Sequence, residues 1–463
     1  SFRLDRFLGM HVDIAENPPN APHGGAHQNA NPGISMVAAI PYFFARPAVD
    51  LVVARAMAHR PPDSTVVYKD NRWRRVEFYK KIRAAGLDIR FGLVSAITQV
   101  FCMAPLTALS VVVIFQLLLA LGLRHPLALG LSLLYAFGTP VFFRAAFLNQ
   151  NLGIAVFAIL AFYLLWDPGD RLRLGVRSRF VLAGLLGGLC FLCDYSGALA
   201  MALLGLYGWV RRRDAVSWGR GFRDALWYAA GTLPGVLLLW YYQWASFGNP
   251  FKPPQAWMEP ITLTEAGYRG VTGPTLELFR LLLLDPRYGL FITTPVALLA
   301  LLAPWLVRRR RSFLPARETW FCLGFTLIFV VFFSAVQYTR LQYVTGIRYL
   351  AAVLPFLFLP MAAVLVRLPR LLAYALASLS ILIVWCMAMV RSQGTVLDNI
   401  EHVFIAGLQL PWLTVVWKLS AQYAPWLTGP VSPIPFFLLL GLAITLLWTV
   451  RRPGQPLADQ PEP

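Results

Sequence analysis

RLDRFLGMHVDIAENPPNAPHGGAHQNANPGISMVAAIP, residues 3–41, is a polar stretch at the head of a chain that is otherwise mostly apolar. It carries Asp5, His11, Asp13, Glu16, His23 and His27, then a turn at Asn31-Pro32-Gly33, then an apolar run. Backbone in so polar a stretch cannot lie in hydrocarbon, because its N–H and C=O groups would lose their partners. It must face water, and its place ahead of the apolar runs predicts that it folds back over the ends of helices.

Those apolar runs set the fold class. Hydrophobic residues make up 58% of the 463 residues, charged residues 14%, and mean hydropathy is +0.59. A soluble domain carries about 25% charged residues, and several runs here approach the ~20 residues that cross a bilayer. The composition predicts an all-α polytopic membrane protein. Eleven spans are expected, near 95–121, 126–143, 151–166, 180–193, 197–210, 224–245, 287–306, 319–338, 347–366, 371–390 and 433–450. The two short runs 180–193 and 197–210 could also form one kinked helix. Pro41 and Pro47 are expected to break residues 34–57 into one or two short interfacial helices. Residues 58–90, rich in Lys and Arg, read as a solvated segment facing headgroups.

Charge then orients the spans. The net charge is +19, but the basic residues sit in short loops between spans, so a nucleic-acid partner is not expected. Arg171 to Arg179, Arg211 to Arg223, Arg308 to Arg317, Arg367 with Arg370, and Arg451 with Arg452 alternate onto one side, expected to be cytoplasmic. Residues 1–90 then form an extracytoplasmic first loop, 91–450 the membrane domain, and 451–463 a cytoplasmic tail. A chain that begins with Ser1 on the outer side implies a further N-terminal span, cleaved or missing, and about twelve in all.

Cysteines and histidines add little. Cys190-x-x-Cys193 has a redox spacing but lies in a Gly-rich apolar run, which argues for a structural role. His11 with Asp13, and His23 with His27, lack an Asp-x-Asp partner, so no metal is expected.

Six short patches carry a resemblance. They are His27 to Ser35 with Ala38 to Tyr42; Phe137-Gly138-Thr139-Pro140 with Phe147 to Asn151; Asp194-Tyr195; Phe247-Gly248-Asn249-Pro250; Asp285 to Phe291 with Thr294-Pro295; and Gly346 to Leu350 with Leu354-Pro355-Phe356. In this order the chain resembles the GT-C superfamily of membrane glycosyltransferases, and is most similar to bacterial relatives of protein mannosyltransferases and lipid A aminoarabinose transferases. It departs from them near Asn151, where relatives often have a His, and before Arg348, where they often have an aromatic–Gly segment.

The resemblance implies a GT-C-like bundle whose outer first loop carries interfacial helices. It implies an inner-membrane enzyme of bacteria, its active site facing the periplasm, that moves a sugar from a polyprenyl-phosphate donor to a glycan, lipid or protein acceptor without a cofactor. Such transfer needs a base for the acceptor hydroxyl and cations for the departing phosphate. The family's outer-loop carboxylate falls best on Asp13, in Val12-Asp13-Ile14-Ala15, with Asp5 second; either acid could also be only a solvated loop group. Arg348, Arg287, Arg340 and Lys252 are the phosphate candidates, against a bland role snorkelling to headgroups. Asp194, Tyr195, Asn151, His27 and Tyr349 are expected around the substrate, although Asp194 could equally be a structural partner of a nearby cation or hydroxyl. Residues 402–424 are apolar enough to lie along the outer interface, as a roof for the donor or as an anchor. The rival functions are a non-catalytic subunit of a larger membrane complex and a lipid-linked-sugar transporter or flippase.

Overall fold

The structure is a computed structural model that describes residues 3–8, 14–17, 23–58, 73–258, 262–342, 344–390 and 394–406, with Pro425 and a few helical residues between 438 and 446. The span expected at 433–450 lies mostly outside the described residues. Five helices are long and apolar enough to cross a bilayer: Gly33–Ala58, Asp88–Ala120, Val176–Cys193, Ala316–Phe333 and Arg370–Met389. The outward surface of the bundle is that of an all-α membrane protein. Leu233, Leu237, Trp240 and Trp244 of one helix and Leu371 and Tyr374 of another stand exposed, an apolar surface that suits lipid contact.

The chain starts with a two-stranded antiparallel sheet, β1 (Ile14–Asn17) against β2 (Gly25–Gln28), with Ala15 opposite His27. No strand is expected from the sequence there, and this is the sheet that the described residues contain. α1 (Gly33–Ala58) follows as one continuous helix with Pro41 and Pro47 inside it. The predicted break at the prolines is therefore wrong. Each proline removes one helical N–H, but Ile34, Ala38, Val49 and Val53 stay buried at helical spacing on both sides of them. That shared face keeps the helix whole. Asp50 of α1 pairs with Arg90 at 2.6 Å.

After α2 (Trp73–Ala84) come α3 (Asp88–Thr98) and α4 (Ala104–Ala120), joined through a π-turn at Gln99–Met103. The 33 residues of this rod measure about 50 Å at ~1.5 Å per residue, longer than the ~30 Å of hydrocarbon. Its charged start, at Asp88 and Arg90, is the part left over. α5 (His125–Phe137) returns and breaks at Gly138-Thr139-Pro140 into the short α6 (Val141–Ala145). α7 (Gln150–Trp166), α8 (Val176–Cys193), α9 (Gly197–Ala215) and α10 (Trp218–Phe247) then alternate in direction.

α8 and α9 are two helices, not one kinked helix. Phe180 meets Gly208 near one end of the pair, and Gly197 meets the Cys190 carbonyl near the other, so they form an antiparallel hairpin. α8 and α10 touch backbone to backbone. A Cβ on Gly184 would stand 2.0 Å from the Tyr228 carbonyl oxygen, and one on Gly231 would stand 2.1 Å from that of Val181. Small residues at a helix contact allow this approach.

The second half is less regular. α11 (Thr262–Glu265), α12 (Leu276–Leu284) and α13 (Leu290–Thr293) lead through a 3-10 stretch, Pro295–Leu302, into α14 (Ala303–Arg308). α15 (Ala316–Phe333) and α16 (Leu354–Leu365) frame the core with α7, and α17 (Arg370–Met389) and α18 (Val396–Ala406) follow. The core is aromatic: Phe325 stacks on Phe356 with centroids 4.0 Å apart, and Phe162 stacks on Phe321 at 5.3 Å.

The arginine-rich loops gather at one end of this bundle. Asp167 and Arg179 pair there, as do Arg211 and Glu318 at 3.1 Å, Arg212 and Asp224 at 2.8 Å, and Arg317 and Asp214 at 2.9 Å. The N-terminal hairpin sits at the other end.

Candidate functional site at the hairpin end

The hairpin is seated by small buried residues. Ala15 is fully buried in a cluster with Leu192, Leu239, Tyr242 and Phe247, so β1 lies over the ends of α8 and α10. Tyr242 Oη donates to the Gln28 carbonyl at 2.8 Å, and Asn31 Nδ2 donates to the Phe191 carbonyl at 3.0 Å. Phe191 O is among the last carbonyls of α8, which lack a helical partner of their own. His27 is buried with its ring 5.4 Å from Phe247. The described hairpin of the polar stretch thus lies over helix ends.

The two acid candidates fare differently. Asp13 lies outside the described residues. Asp5 is exposed, and its Oδ1 accepts from the Ala26 N–H at 2.8 Å, which ties residues 3–8 to β2.

Behind the hairpin stands Asp194, half-buried in the turn between α8 and α9. Its Oδ1 accepts from Ser196 N at 2.9 Å and Ser196 Oγ at 2.7 Å, and its Oδ2 from Gln150 Nε2 at 2.7 Å. Of the two roles open to it, the contacts are those of a structural acid holding a hydroxyl and an amide. Gln150 opens α7 beside Asn149, whose Oδ1 caps the helix by accepting from Asn151 N and Leu152 N at 2.9 and 3.1 Å. The Asn151 side chain is buried, and neither its nitrogen nor its oxygen has a hydrogen-bond partner. Tyr195 takes a hydrogen bond from Gln243 of α10. Burial, above all, and then the Asp194 charge push the Tyr195 hydroxyl above its ordinary range, so it is protonated at neutral pH.

Asp194 connects to the arginines through two tyrosines. Tyr338 lies in the 3-10 turn Gln337–Arg340, and burial followed by the charge of Asp194 raises its hydroxyl. Its ring centroid is 6.1 Å from that of Tyr349, and the Arg348 guanidinium stands 5.2 Å from the Tyr349 centroid. Arg348 is anchored through its backbone, whose N–H donates to Gln342 Oε1 at 2.9 Å.

The structure adds a residue that sequence reasoning missed. Arg144 of α6 is 3% exposed. Its Nε donates to the Ile347 carbonyl and its Nη2 to the Gly346 carbonyl, each at 2.5 Å. Arg144 and Arg348 are close enough to repel: burial first, then Arg348, draws the Arg144 pKa below that of an ordinary guanidinium, while it remains a cation at neutral pH. One sequence signal could have found it, since Arg144 is a basic residue in a loop assigned to the side that the charge bias leaves poor in them.

The other three phosphate candidates are engaged elsewhere. Arg287 Nε lies 3.4 Å from Asp285 Oδ1, Arg340 Nη1 lies 2.9 Å from Glu277 Oε1, and Lys252 Nζ stands 4.4 Å from the Trp257 ring centroid. Arg287 still shapes the site through its backbone, because its carbonyl accepts from Gly346 N at 2.7 Å. Among the described residues no group of three His, Cys, Asp or Glu side chains is placed to hold a metal ion. His11 and residues 407–424, including most of the expected interfacial roof, lie outside the described residues.

Compared with protein-family models, with curated proteins and with solved structures, the chain matches none.

Proposed function

We propose that this protein is an inverting membrane glycosyltransferase that uses a polyprenyl-phosphate sugar, with the hairpin end of the bundle facing the periplasm. One observation carries the reading. The acid-bearing N-terminal stretch is docked by its hairpin on the same end of the bundle as the Arg144–Arg348 pair and the Asp194–Tyr338–Tyr349 cluster. A base and a phosphate-binding cation are the two groups the chemistry requires. The base accepts the proton of the acceptor hydroxyl, that oxygen bonds to the anomeric carbon, and polyprenyl phosphate leaves with the electron pair of the broken C–O bond. Arg348 stabilises the departing phosphate through its planar fork of donors. Tyr195 and Tyr338, both protonated, offer hydroxyls to a sugar.

Asp13 is the first choice for the base, because one oxygen of Asp5 is occupied by the Ala26 N–H. Asp13→Asn keeps the shape and removes the basicity, and is expected to lower sugar transfer about 100-fold or more with donor binding retained. The assay is sugar release from a polyprenyl-phosphate donor by purified protein. Full activity in Asp13→Asn with loss in Asp5→Asn moves the base to Asp5, and full activity in both discards a loop-acid mechanism. A second reading, a non-catalytic subunit that pairs with other membrane proteins, draws on the ion pairs that engage Arg287 and Arg340. Wild-type protein that transfers no sugar from any of a panel of donors favours it.

A further inference from the structure

We infer that Arg144 and Arg348 form one two-cation site for a phosphate group, with Arg144 as the residue that positions Arg348 and adds its charge from beneath. The inference deepens the glycosyltransferase reading and rests on it for the identity of the ligand, but the phosphate chemistry stands on the local geometry.

Arg144 holds the carbonyls of Gly346 and Ile347, the two residues immediately before Arg348. The same short segment is fixed from two more directions. Gly346 N donates to the Arg287 carbonyl, and Thr345 Oγ1 donates to the Gly394 carbonyl at 2.6 Å. Gly346 has φ +96, and a Cβ on it would stand 2.5 Å from the Phe143 ring. Such a backbone is costly unless its surroundings impose it. The chain therefore enters Arg348 along a fixed path, and a buried guanidinium sets that path.

Charge supplies the second half of the argument. Buried cations are ordinarily paired, because an uncompensated one is strongly destabilising. The titratable side chains that bear on Arg144 are the cation Arg348 and the neutral Tyr349, and no carboxylate among the described residues is one of them. Its carbonyl partners satisfy donors without neutralising the charge. Three other buried or half-buried arginines do have acids, Arg179 with Asp167, Arg211 with Glu318 and Arg212 with Asp224, while half-buried Arg269 is held by the Ala256 carbonyl. An anion seated at Arg348 supplies a counter-charge that no described carboxylate gives Arg144. A phosphate fits best, since its oxygens match the guanidinium fork.

The test uses the full chain in lipid nanodiscs, with three probes: polyprenyl monophosphate, the uncharged polyprenol, and inorganic phosphate. The readouts are dissociation constant and unfolding midpoint, and neither needs catalytic activity. Polyprenyl phosphate is expected to bind and to raise the midpoint by a few degrees, and polyprenol to do neither. A response to inorganic phosphate alone also supports the two-cation site but makes its ligand a soluble one. Arg348→Met is expected to lose the anion response in both readouts. Arg144→Lys keeps a charge without the fork and is expected to weaken binding about tenfold, a loss in the range of one charge-assisted hydrogen bond. Arg144→Met is expected to weaken it further, and if that variant does not fold, the lysine variant decides.

Wild-type affinity in Arg144→Lys, together with loss in Arg348→Met, overturns the inference and leaves Arg348 as a lone phosphate ligand in the glycosyltransferase reading. Unchanged affinity in Arg348→Met removes both.

Discussion

At the scale of single residues, Gly346 has the sharpest requirement in the site. Its φ of +96 and the 2.5 Å approach to Phe143 leave no room for a side chain. Gly346→Ala is expected to cost about 1–3 kcal/mol from backbone conformation alone, with a further loss as Phe143 is displaced. A thermal or denaturant melt of the purified variant reads that loss, and a melt matching wild type would remove the constraint. The sequence shows Gly346 only as part of a Gly-Ile-Arg-Tyr-Leu patch. It marks Arg348 as a candidate, but it gives no means of seeing that Arg144, about two hundred positions earlier, holds the carbonyls in front of it. A bond between a side chain and a distant backbone oxygen leaves no periodicity and no motif. For the same reason the ion pairs of Arg287 with Asp285 and Arg340 with Glu277 matter more than the presence of those arginines. A cation already beside a carboxylate has part of its charge engaged there and less to offer a phosphate.

At the scale of elements, α18 shows how a short helix braces the site. Thr395 Oγ1 accepts from Asp398 N at 3.2 Å and Asp398 Oδ2 accepts from Thr395 N at 2.7 Å, the reciprocal pattern of a capping box. Val396 N then donates to the Pro286 carbonyl at 2.9 Å, which couples α18 to the turn that carries Arg287. The Thr395 N–H, with its hydroxyl next, holds the Asp398 carboxyl below the usual carboxylate range. A depressed folded-state pKa stabilises above the unfolded value and is lost as pH falls through the folded one. Hydrogen-exchange protection at the first turn of α18, corrected for intrinsic rates, should therefore be flat from neutral pH down to about pH 5 and should fall below about pH 4. Asp398→Asn should remove that dependence, and protection that keeps its acid fall in the variant would place the titrating group elsewhere. Elements were unequally legible in the sequence. Long apolar runs mark α4, α7, α10 and α15 because a span of that length has few other uses. The β1–β2 hairpin left no strand signal, since Ile14-Ala15-Glu16-Asn17 and Gly25-Ala26-His27-Gln28 lack β-branched and aromatic alternation. It is tertiary docking of Ala15 and His27 that makes it a sheet, as it is tertiary packing that carries α1 through its prolines.

At the scale of the whole molecule, alternation was the readable feature. Arg171 to Arg179, Arg211 to Arg223 and Arg308 to Arg317 are expected on one side of the spans; ion pairs join the second and third of these loops at the end of the bundle away from the hairpin, and the Arg179–Asp167 pair closes the first on itself. A bundle crossed an even number of times between two points brings the chain back to the same end, so a single miscounted span would have scattered these loops. The split of 180–193 and 197–210 into the hairpin α8–α9 is the crossing on which the count turns. Residue 16, beside Ala15 over the ends of α8 and α10, and residue 215, at the far end of the α8–α9 hairpin, lie at opposite ends. Glu16 of β1 and Ala215 at the end of α9 are both exposed, and all five native cysteines are buried and unpaired. Glu16→Cys and Ala215→Cys, made separately, therefore give two reporters in a background that an impermeant thiol reagent should leave dark. In sealed right-side-out vesicles Glu16→Cys is expected to label from outside, and Ala215→Cys only after permeabilisation, because the arginine-rich end faces the cytoplasm when the positive-inside bias sets orientation. Reversed labelling would keep the bundle and invert the membrane, and would put the proposed phosphate site on the cytoplasmic face. Labelling of both positions from one side without permeabilisation would break the alternation itself, and with it the placement of the hairpin, Arg144 and Arg348 opposite the arginine-rich loops.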